Sequence, residues 1–103
     1  MTDARPDLAN HANEFGAGFL PGLLGLDFTG FGDGWVEAEV KVRKALMAPN
    51  GFLHAASVIG LADSACGYGC VRALPDGAAG FTTIELKSNF LGTARDGTIE
   101  CRA

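Results

Sequence analysis

Paired cysteines, a basic surface and a long apolar run are all missing from this chain of 103 residues. Its cysteines, Cys66, Cys70 and Cys101, are odd in number and follow no framework spacing. That excludes a disulfide-stapled scaffold and points to reduced thiols in the cytoplasm. Net charge is -4, and the basic residues cluster only at Lys41, Arg43 and Lys44. A nucleic-acid partner is therefore not expected. No apolar stretch is long enough to span a bilayer, and the first residues lack the charged and apolar regions of a signal peptide. Neither a G-x-G-x-x-G nor a Walker pattern occurs, and Ser57 and Ser64 lack the G-x-S-x-G setting of a serine hydrolase. Cys66 and Cys70 stand one helical turn apart with no second ligand pair, so they are expected as small buried residues and no metal or organic cofactor is expected.

What is present is a globular composition, 48% hydrophobic and 19% charged. The length suits one domain over 1–103, whose own core buries roughly 65% of the unfolded surface, so self-association would add to it. After a loose tail over residues 1–6, Leu8, Ala12, Phe15 and Phe19 fall at helical spacing until Pro21-Gly22. A strand is expected over 23–31, a turn at Asp33-Gly34, and a second strand over 35–43. In that second strand Val36, Ala38, Val40 and Val42 alternate with Glu37, Glu39, Lys41 and Arg43. Residues 55–72 predict the longest helix, apolar nearly all round and hence buried. Gly60, Gly67 and Gly69 each cost it about 1 kcal/mol relative to Ala, which close approach of another backbone would offset. A third strand is expected over 81–91, where Ile84, Leu86, Ser88 and Phe90 alternate with Thr83, Glu85, Lys87 and Asn89. A fourth begins at Thr98. The order predicts an α+β fold, an antiparallel sheet around one central helix.

Asp63 breaks the pattern. Its neighbours one turn away on the helix are Ile59, Gly60, Cys66 and Gly67, none of which neutralises a carboxylate. Such an acid either faces solvent, or hydrogen-bonds a backbone amide across an interface, or marks a functional position. The helix start offers a second feature, since the N–H groups of Ala55 and Ala56, following His54, carry the partial positive charge of the helix N-terminus and suit an oxyanion. Ala55 and Asp63 are eight residues apart, about 12 Å along the helix axis. Both reach one reacting carbonyl only if the second comes from another subunit, which predicts a site shared across a two-fold axis. His54 is expected to orient the loop before the helix.

Gly51-Phe52-Leu53-His54, followed by Leu61-Ala62-Asp63-Ser64-Ala65, resembles the glycine–histidine and leucine–alanine–aspartate segment of hotdog-fold acyl-CoA thioesterases. The phenylacetate-pathway and 4-hydroxybenzoyl-CoA types are similar. Ile84 to Leu91, then Ala94-Arg95-Asp96-Gly97, resembles that family's next strand and turn. The resemblance covers about residues 20–103. It implies a hotdog fold, homodimers or dimer-of-dimers homotetramers, and hydrolysis of acyl-CoA to free acid and CoA. It implies Asp63 as nucleophile or general base and the Ala55 N–H as oxyanion donor from the partner, with His54 beside them. It also implies substrate contacts at Asn50, Gly51, Ala56, Ser64, Asn89 and Phe90. The family's paired glycines after His are here Ala55-Ala56, its Asn or Gln six residues before the His is Ala48, and its Arg-Pro after the third strand is Gly92-Thr93. The family carries further strands, so the C-terminal strands are expected to be missing here. These departures keep a second reading open, a non-catalytic acyl-CoA-binding or regulatory protein. A hotdog dehydratase or hydratase would need a paired His and acid at other spacings.

Overall fold

The computed structural model describes residues 6–103. Of the tail expected over residues 1–6, residues 1–5 lie outside them, and Pro6 belongs to the first helix instead. That helix, α1, spans Pro6–Phe15 and is followed by a short helix, α2, over Leu20–Leu24. Pro21 thus starts a helix where the sequence suggested a stop, because a proline's missing N–H is harmless in a first turn. Gly25, at φ 76°, ends α2 and moves the first strand's start to Leu26.

Strands β1 (Leu26–Gly32) and β2 (Trp35–Lys41) form the expected antiparallel hairpin through Asp33-Gly34, with Gly34 at φ 77°. Their register slips between Phe28 and Gly30. The extra residue, Thr29, lets Phe28 and Phe31 both point inward although they stand three apart, and their rings stack at 6.2 Å. On β2 the alternation holds: Val36, Ala38 and Val40 are buried. Strand β3 (Thr98–Arg102) pairs antiparallel with β2, giving the order β1-β2-β3.

The long helix, α3, spans Ala55–Arg72 and lies across β2. It buries a single stripe, Ser57, Leu61 and Ala65, with the Ser57 hydroxyl donating to the Leu46 carbonyl at 2.8 Å. The expected burial on most sides is not found, because one three-stranded sheet covers only one side of a helix. Cys66 and Cys70 are accordingly exposed. The glycines of α3 admit side chains and not another backbone. A Cβ at Gly60 would meet Leu24, at Gly69 Val36, and at Gly67 the ring of Phe81.

Asn13 fixes α1 to the sheet. Its side-chain amide donates to the Phe28 carbonyl (3.1 Å) and to Asp27 (3.0 Å), and its oxygen accepts the Phe28 N–H (2.7 Å). The strand expected over 81–91 is absent. No strand among the described residues lies beside it to supply a ladder, and Ile84 and Leu91 are 94% and 96% exposed.

Candidate active site

The loop before α3 closes on itself. The Ala48 N–H donates to Phe52 O at 2.7 Å, Gly51 takes φ 91°, and the Asn50 side chain accepts the Phe52 N–H at 3.1 Å. His54 then caps the helix, its Nδ1 accepting the Ala56 N–H at 2.9 Å. The bond occupies Nδ1, so Nε2 is the ring nitrogen left for anything beyond the loop.

The cap also sorts the first-turn amides. Ala56 N–H is taken by His54, and the Ser57 and Val58 N–H groups both reach the His54 carbonyl. Among the described residues, no acceptor takes the Ala55 N–H. It is the one first-turn amide that remains for a ligand, whereas Ala56 is already satisfied.

A cleft of about 730 Å³ opens at this helix end. Ala48, Asn50, Phe52, His54, Ala55 and Val58 line it together with residues 88–94. It brings together five of the sequence-predicted residues: Asn50, His54, Ala55, Asn89 and Phe90. Gly51, Ala56, Asp63 and Ser64 lie outside its lining. Arg95 stands over the Phe52 ring at 4.4 Å, so the cleft is bordered by a cation and an aromatic face.

Asp63 sits two turns further along α3, half-buried, on a different stretch of surface. Its Oδ1 accepts a hydrogen bond from the Thr83 hydroxyl at 3.1 Å. The sequence reading gave Asp63 no partner, and it missed Thr83 because the two are 20 residues apart and no local spacing links them. Ser64 is half-buried beside it. Within one chain, then, an unclaimed amide and a carboxylate occupy separate places, as the distance along the helix requires. Among the described residues no group of three His, Cys, Asp or Glu side chains is placed to hold a metal ion.

A long helix across an antiparallel sheet, a capped helix start and a carboxylate two turns on define a hotdog-type architecture. Two solved structures share it. A mutant thioesterase of Pseudomonas aeruginosa superposes with a TM-score of 0.85 over 91% of this chain and 68% of that one, at 23% identity. A Haemophilus influenzae thioesterase gives 0.84 over 91% and 65%, at 24% identity. The model of the thioesterase superfamily matches residues 50–103, and the chain belongs to that family. The 1,4-dihydroxy-2-naphthoyl-CoA hydrolase of Escherichia coli is 30% identical over 90 residues, 84% of this chain and 63% of that protein. The chain spans 57% and 63% of the length of two curated relatives that it matches.

Proposed function

We propose that the chain is one hotdog domain that hydrolyses acyl-CoA thioesters to free acid and CoA. The observation that carries the reading is the division of the first-turn amides of α3, which leaves Ala55 alone to donate, with Asp63 on the same helix. The Ala55 N–H holds the thioester oxygen as charge develops on it. The Asp63 carboxylate acts on the carbonyl carbon directly or by taking a proton from water. The carbon–sulfur bond breaks, the thiolate leaves and is protonated, and water supplies the oxygen of the new acid. No cofactor enters.

Asp63 and Ala55 are separated by about 12 Å along α3, so each site takes Asp63 from one chain and Ala55 from its partner. The assembly is a homodimer or a dimer of dimers. The cleft beside Ala55, with Asn50, Asn89 and Phe90 on its walls, takes the substrate. Gly51, Ala56 and Ser64, which lie outside the lining of this chain's cleft, are read as further substrate contacts. The setting is cytoplasmic, a reading supported by three free cysteines. Among the described residues, no helix is long and apolar enough to cross a membrane.

A panel of acyl-CoAs with a thiol reagent tests the activity. Thiol release by the wild type and its loss in Asp63→Asn are the expected results; wild-type-like release by Asp63→Asn would sink the assignment, and no release with tight acyl-CoA binding would favour a binding protein. The shared site is tested by mixing Asp63→Ala with Ala55→Pro. His54 has φ -68° and ψ 137°, the backbone that a following proline demands, and the N–H that proline removes has no acceptor among the described residues. Each variant alone is inactive. After subunit exchange, activity returns to about a quarter of wild type, since half the dimers are mixed and each has one intact site.

A further inference from the structure

Gly67 lies one helical turn beyond Asp63, on the same face of α3. A methyl group at Gly67 would stand 3.0 Å from Phe81 Cζ, closer than carbon atoms pack without one of them shifting. The glycine is therefore a notch, and the Phe81 ring lies over it. Two residues on, the Thr83 hydroxyl donates to Asp63 Oδ1 at 3.1 Å. The two spacings agree. A helical step of four residues rises about 6 Å, and a two-residue step of extended chain spans about 6.7 Å. Residues 81–83 form neither helix nor turn. Phe81 over Gly67 and Thr83 over Asp63 are thus two contacts of one alignment, with the segment crossing antiparallel to the helix.

We infer that Gly67 and Phe81 form a seat that positions Thr83 against Asp63. The seat fixes one carboxylate oxygen through the threonine hydroxyl and leaves the other for the reaction. Gly67 and Phe81 are positioning residues, since neither touches the reacting atoms and both act through Thr83. Nothing else among the described residues holds this part of the chain to α3 by a hydrogen bond. The segment has no strand ladder, so the notch is what sets its alignment.

This inference rests on Asp63 being catalytic, and its test separates the two. In the full-length enzyme, with an acyl-CoA that it turns over, Gly67→Ala replaces the notch with a methyl. Alanine is the better helix former, so the Tm is expected to hold or rise. Displacing Phe81 by a few tenths of an ångström lowers kcat about five-fold, with KM unchanged. A merely structural glycine would show the stability gain without the kcat loss. Adding Phe81→Leu to Gly67→Ala removes the crowding ring atom and is expected to return most of the lost kcat. Thr83→Val, which keeps the shape and deletes the donor, lowers kcat at least as far as Gly67→Ala.

Wild-type kcat in Gly67→Ala or in Thr83→Val, with Asp63→Asn inactive, overturns the seat and leaves the catalytic carboxylate standing. Losses that simply add in Gly67→Ala/Phe81→Leu also overturn it. An active Asp63→Asn removes both readings together.

Discussion

Strand β2 and the segment 81–91 carry the same alternation of apolar and polar residues, yet one is the centre of the sheet and the other is bare. Val36 and Val40 are 1% and 2% exposed; Ile84 and Leu91 are 94% and 96% exposed. β2 has β1 on one side and β3 on the other, so its backbone donors and acceptors are paired and its valines face α3. The later segment has one hydrogen bond to α3, through Thr83, and no ladder. An alternating pattern states which face of a strand is apolar. It does not state that a neighbouring strand exists, and without one the backbone has no partner.

The same substitution at both places breaks this comparison most severely. Val40→Asp puts a carboxylate among buried apolar groups and is expected to cost more than about 4 kcal/mol, abolishing the cooperative transition. Ile84→Asp, in a chain of residues 1–103 kept dilute enough to be monomeric, is expected to shift stability by less than about 0.5 kcal/mol. Chemical denaturation measures both. A large loss at Ile84 under those conditions would mean that the segment is packed after all.

A smaller effect belongs to Asn13, the side chain that stands in for a strand neighbour. Asn13→Ala leaves the Phe28 N–H and carbonyl without partners and is expected to cost about 1–3 kcal/mol. Asn89→Ala, on the bare segment, is expected to cost less than about 0.5 kcal/mol in the same monomeric chain. Equal losses would erase the distinction between the two regions.

The smallest effect is a rate. Burial on the inner side of β3, and then the nearby Cys66, push the Cys101 thiol above its ordinary pKa. Raising the pKa lowers the thiolate fraction at any pH below it, so Cys101 is expected to be alkylated more slowly than the exposed Cys66 and Cys70. Mass-resolved alkylation at pH 8 checks the order, and denaturant should abolish it.

Much of the fold was legible in the sequence where neighbours in space are also neighbours in sequence. The β1–β2 hairpin follows from Asp33-Gly34 and the valines of β2, and α3 from its apolar run after His54. The cap that His54 makes on the Ala56 N–H was not read from the sequence, which offered both first-turn amides to an oxyanion, although the two residues are only two apart. What else escaped is non-local or depends on a single inserted residue. Thr29 shifts the register so that Phe28 and Phe31 share a face, which strict alternation forbids. Asn13 reaches Phe28 across 15 residues and Thr83 reaches Asp63 across 20. The burial of α3 was overstated because composition tells how apolar a helix is, not how much sheet is present to cover it.

The Asn13 clamp has a consequence for the sheet as a whole. β1 and β3 are its two edges. At Phe28 the outward groups of β1 are occupied by a side chain that would have to be displaced before another strand docked there. No comparable side chain guards β3 among the described residues. The sheet therefore has a closed margin and an open one, and any lengthening of it proceeds in a single direction, outward from Thr98–Arg102.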